Sequence, residues 1–88
     1  MTLLFLVNRR AALASCLQVA GATDTVLLIE DGVYAGVAPP TGSARVLALG
    51  PDVHARGLGE RLDPGVGVID DAGFVALTVS HNPVVTWQ

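Results

Sequence analysis

Apolar positions in this chain fall into short runs, and the runs alternate with segments of helical spacing. The stretch Thr25 to Val37 organises the rest. It begins with an unbroken apolar run, Val26 to Ile29, rich in branched residues. Such a run suits a strand covered on both faces, in the middle of a parallel sheet. The run ends on Glu30-Asp31-Gly32, after which Val33, Tyr34 and Val37 fit a helix that Asp31 caps. The two acids therefore stand where a central strand gives way to a helix, the edge at which open α/β sheets form binding crevices.

The flanking segments repeat this logic. Thr2 to Val7 reads as a first buried strand. Arg10 to Ala20 has helical spacing, with Ala12, Leu13, Cys16, Leu17 and Ala20 on one stripe and Asn8 as its cap. Gly21 to Asp24 is a turn, and Ala38 to Ser43 is a loop. Arg45 to Leu49 reads as a third strand. Pro51 opens a short helix that Gly57 stops. Val66 to Ile69 is a fourth strand, and Asp70 or Asp71 caps a last helix carrying Phe74, Val75, Leu77 and Val79. That helix stops at His81-Asn82-Pro83, and Val84 to Trp87 is a closing strand. Strands alternating with short helices predict an α/β sandwich around a mostly parallel sheet of four to five strands, in a single domain spanning residues 1–88.

Composition adds a partner. The chain has 88 residues, of which 51% are hydrophobic and only 15% charged. A domain of this size hides only about 60% of its unfolded surface. The apolar surplus is expected to surface as patches, and such patches mark partner surfaces. An obligate oligomer follows. The eight acids face five scattered arginines and no lysine. Direct nucleic-acid binding needs a cationic stripe, which this chain lacks. No apolar run approaches membrane length. The opening apolar run precedes its arginines, the reverse of a signal peptide, so the expected location is the cytoplasm.

Candidate chemistry is sparse. The glycines fit neither a dinucleotide nor a phosphate-loop fingerprint, and no serine stands in a nucleophile elbow. No cofactor and no metal is expected. Cys16 is the only sulfur nucleophile and hence the catalytic candidate, although its place on an apolar stripe also suits a small buried hydrophobe. Glu30 and Asp31 also admit a Mg²⁺ pocket of receiver type. Tyr34 and Trp87 are the candidate interface residues, because a tail tryptophan should be pinned to its own core or to a partner.

Several blocks together resemble the DsrH/TusB family. They are Val26 to Ala35; then Ala48-Leu49, Asp52 and Ala55 to Leu58; then Ile69-Asp70, Phe74-Val75, Leu77 to Val79, His81 and Trp87. They occur in order over nearly the whole chain. Two positions depart from the family pattern. Arg10-Ala11 stands where the family often has Ser-Pro, and an early histidine is replaced within Leu3-Leu4-Phe5. The resemblance implies a three-layer DsrEFH-like sandwich and a subunit of a cytoplasmic sulfur-relay heterohexamer. Its partners would be DsrE/TusD-type and DsrF/TusC-type subunits. The complex would pass persulfide sulfur to a DsrC/TusE-type carrier, for 2-thiouridine at tRNA wobble positions or for sulfur oxidation. In the family the established sulfur acceptor belongs to the DsrE/TusD-type partner, so this chain is not expected to be an enzyme by itself. Some DsrH-type members have a cysteine in the first helix, where Cys16 stands. The alternative is therefore a sulfurtransferase that uses Cys16 as its persulfide carrier.

Overall fold

The computed structural model describes residues 2–81 and 83–88. Five strands form one sheet: β1 (Leu4–Val7), β2 (Thr25–Leu28), β3 (Arg45–Leu49), β4 (Gly67–Ile69) and β5 (Val84–Trp87). Their order is β4-β3-β2-β1-β5, and every pairing is parallel. The run with no polar alternation thus lies in the centre. All four residues of β2 are buried, as two covered faces require.

Register divides the side chains between two faces. Phe5 aligns with Val26 and Val85, and Val7 with Leu28 and Trp87. These residues share one face with Ala48. That face is covered by a 3-10 helix (Arg10–Ala12), by α1 (Leu13–Val19), by a second 3-10 helix (Glu30–Gly36) and by α2 (Gly50–Ala55). Their buried contributions include Leu13, Cys16, Leu17, Val33 and Val53. The opposite face carries Leu4, Leu27, Leu47 and Leu49. Among the described residues only α3 (Asp71–Ser80) covers it, through Leu77 and the partly buried Phe74. The result is a three-layer sandwich with one thick cover and one thin one.

The stripe expected between Arg10 and Ala20 is buried as expected, though its first turn is 3-10. Asn8 does not cap it. Arg9 takes the N-cap position and makes no side-chain cap bond. The segment after β2 also differs. It is 3-10 rather than α-helical, and Asp31 does not cap it; the cap position is Ile29, again without a side-chain bond. The chain enters this segment through Glu30 at φ +50°, and Asp52 accepts the Glu30 N–H through Oδ2 at 2.7 Å. Gly32 lets the turn press against β1, because a Cβ there would lie 2.0 Å from the Val7 carbonyl oxygen. Asp70 does cap α3, accepting from Gly73 N–H at 2.8 Å. Gly57, at φ +65°, terminates α2. The stop signal at residues 81–83 includes Asn82, which lies outside the described residues.

Candidate functional site

Helix geometry places Cys16 facing the sheet. Its spacing from Leu13 and Leu17 puts it on the buried stripe of α1, and its side chain is 0% exposed. Burial, with a smaller contribution from the charge of Asp24, pushes the thiol pKa up to about 11. Sulfur transfer requires the thiolate. At neutral pH a thiol of that pKa is protonated in all but about one molecule in ten thousand. A cavity of about 390 Å³ opens beside the first 3-10 helix, lined by Arg10, Ala14, Ala35 and Pro40 among others; Cys16 is not part of its wall.

The carboxyl edge of the sheet holds a bonded network. Arg56 of the α2 C-cap donates from Nε to Asp31 Oδ1 at 3.0 Å, and its NH2 lies 3.0 Å from the same oxygen. Arg56 NH1 also donates to the Asp52 carbonyl at 3.3 Å. Asp52 in turn accepts from the Glu30 backbone. Of the two acids that the sequence singled out, Asp31 is therefore tied to α2 through its carboxylate and Glu30 through its backbone N–H. Among the described residues no group of three or more His, Cys, Asp and Glu side chains is placed to hold a metal ion.

The amino edge has a second network that sequence reasoning missed. Asp24 is buried, and its carboxylate accepts from Leu3 N–H at 2.9 Å and from Gly21 N–H at 2.8 Å. Those bonds hold its carboxyl below the usual carboxylate range. His81 Nδ1 lies 3.0 Å from the Leu77 carbonyl, which only an Nδ1–H can satisfy. Nε2 lies 3.0 Å from the Thr25 hydroxyl oxygen, within hydrogen-bond reach. This imidazole pins the end of α3 to the start of β2. A histidine just past a helix was legible as a helix-end residue; its partner 56 positions away was not.

The two candidate interface residues differ in setting. Tyr34 stands exposed on the second 3-10 helix. Trp87 is half-buried on the chain's own core. Its ring meets Phe5 edge to face at 5.8 Å, and its indole N–H donates to Ser15 Oγ of α1 at 3.0 Å. A further run of apolar exposure lies on the outer side of α3. Ala72, Val75, Ala76 and Val79 recur at helical spacing and all are exposed, Val75 by 62% and Val79 by 81%. That spacing was present in the sequence, but apolar residues on every side of the helix concealed which of them face outward.

No helix among the described residues is long and apolar enough to cross a membrane. The family described as DsrH like protein matches residues 8–84. A protein named TusB from Photorhabdus laumondii is 39% identical over 73% of this chain and 75% of its own. TusB of Sodalis glossinidius is 36% identical over 85% of this chain and 86% of its own. TusB of Escherichia coli is 36% identical over 84% and 85% respectively. With its parallel five-stranded sandwich and these matches over most of its length, the chain belongs to the DsrH/TusB family of sulfur-relay proteins.

Proposed function

We propose that the protein is a non-catalytic subunit of a cytoplasmic sulfur-relay complex. It assembles with DsrE/TusD-type and DsrF/TusC-type subunits and shapes the site where the former holds persulfide sulfur. The complex passes that sulfur to a DsrC/TusE-type carrier. The relatives described above carry the name TusB, which favours the tRNA 2-thiouridine branch over sulfur oxidation.

One observation carries the non-catalytic part of this reading. The only thiol of the chain is enclosed and held protonated, while a helix face of two valines and two alanines stands in solvent. A helix apolar all round is ordinarily buried, so the outer side of α3 is a surface for a partner. Co-expression with the two neighbouring subunit types should yield one stable complex on size exclusion. Replacing Val75 and Val79 with glutamate should release this subunit while leaving its circular dichroism unchanged. A well-behaved monomer that binds neither neighbour would remove the proposal.

A further inference from the structure

The connections of the sheet diverge at one point. From β1 to β4 the chain steps along the sheet in one direction, with its helices on the thick face. From β4 it returns across the sheet to β5, with α3 on the thin face. The loop leaving the carboxyl end of β3 therefore turns one way, and the loop leaving β4 turns the other. Such a switch point opens a crevice outside the strand ends. A cavity of about 720 Å³ lies there, lined by Gly50, Pro51, His54, Val68, Ile69 and Asp70 among others. Gly50 lets the start of α2 approach the end of β4 closely, since a Cβ there would stand 3.1 Å from the Ile69 carbonyl oxygen.

The crevice runs along an open sheet edge. Among the described residues β4 pairs only with β3, so one row of its backbone groups faces outward. Gly67 and Val68 are exposed, Val68 by 54%. Sheet edges are blunted by short strands, lysine, proline or an inward charge; β4 is short, three residues, and carries none of the other three. Asp70 and Asp71 stand exposed at its carboxyl end. Asp70 is engaged as the α3 cap, whereas Asp71 has no ion pair among the described residues. Apolar walls beside an open edge with an acidic end define what fits.

We propose that β4 docks an extended segment of another protein, added as a sixth strand. Main-chain hydrogen bonds along β4 would hold it. An apolar side chain would enter the crevice between His54 and Val68, and a cationic residue would meet Asp71. A second copy of this chain fits poorly. Antiparallel pairing of two β4 strands would bring Asp70 and Asp71 of one copy toward Asp63 of the other. This docking edge is separate from the outer side of α3 and does not depend on the sulfur-relay reading.

The test uses the full chain, alone or in its complex, and two fluorescein-labelled peptides. One has the order lysine, valine, threonine, valine, lysine; the other has glutamate in place of both lysines. Anisotropy should show the basic peptide binding about ten-fold tighter, the range that a favourable rim pair with Asp71 turned repulsive can supply. Hydrogen exchange should then slow at Gly67 to Asp70 and not at Val75 to Val79 of α3. Asp71→Lys should erase the preference. Equal affinities, no binding of either peptide, or protection mapped elsewhere would overturn the proposal. So would concentration-dependent protection of β4 without peptide, which would assign the edge to a second copy.

Discussion

Trp87→Ala is expected to weaken the isolated chain, not only its assemblies, because the indole is seated on the protein's own α1 and β1. Three losses follow from the structure. The edge-to-face contact with Phe5, at 5.8 Å and 83°, is worth about 0.5–1.5 kcal/mol beyond area. The indole N–H bond to Ser15, at 3.0 Å, contributes about 0.5–1.5 kcal/mol. A half-buried tryptophan hides roughly 100 Å² of apolar surface, or about 2.5 kcal/mol at the usual coefficient. A total of about 3.5–5.5 kcal/mol overlaps the range that removing a packed aromatic ring costs, and it is a large part of the stability of so small a domain. Urea unfolding followed by far-ultraviolet circular dichroism gives the difference. Trp87→Phe should recover most of the loss, since it keeps a ring against Phe5 and drops only the N–H. In the wild type the sole tryptophan should emit to the blue of free indole and resist acrylamide. A loss below about 1 kcal/mol in Trp87→Ala would refute the argument. An indole-like emission in the wild type would do the same.

Other expectations follow from single contacts. Gly32→Ala forces a Cβ into the Val7 carbonyl oxygen, a backbone atom that cannot move aside; it should cost at least about 2 kcal/mol and lower the melting temperature by roughly 8–16 °C, and an unchanged melt would count against the close approach. Asp70→Ala should cost about 0.5–2 kcal/mol as a lost cap, while Asp31→Ala should cost under about 1 kcal/mol, because its partner Arg56 binds a carboxylate that is 71% exposed; the reverse order in thermal melts would restore Asp31 as the cap. Folding raises the Cys16 thiol from 9.0 to about 11, which corresponds to about 100-fold less thiolate at pH 8. Iodoacetamide should therefore modify Cys16 at least about 100-fold faster in urea than in the native protein, and equal rates would show that the thiol is accessible. The same shift makes stability independent of this group below pH 9 and lowers it between pH 9 and 11, where the unfolded chain gives up its thiol proton first. Cys16→Ser should not show that decline.

How much of this was legible in the sequence depends on the range of the interactions involved. The unbroken apolar run ending at Ile29 revealed the central strand, because burial on both faces removes polar alternation. Asp70 was legible as a cap, since capping is local and the acid directly precedes a helical segment. Asp31 looked equivalent and is not. There the helix is replaced by a 3-10 turn entered through Glu30 at positive φ, and the backbone bond that supports this entry comes from Asp52, 22 residues on. The burial of Cys16 followed from its stripe, whereas the charge of Asp24 that adds to its raised pKa required the fold. Composition announced surplus apolar surface but not its location. The location follows from α3 being the only cover of its face among the described residues, so that Leu77 and Phe74 turn inward and Val75 and Val79 are left outside. The pinning of the tail at Trp87 was expected, but the hydroxyl that receives it, Ser15, lies 72 residues away.

The central claim is that this subunit shapes a sulfur relay without carrying sulfur. The direct measurement is sulfur transfer to the DsrC/TusE-type carrier by the reconstituted complex, followed by mass spectrometry, with wild-type subunit and with Cys16→Ser and Cys16→Ala. The expected result is equal transfer in all three complexes, no sulfur added to Cys16, and loss of transfer when this subunit is left out. Persulfide found on Cys16, together with lost transfer in both variants while the complexes remain assembled, would contradict the account and make Cys16 the carrier.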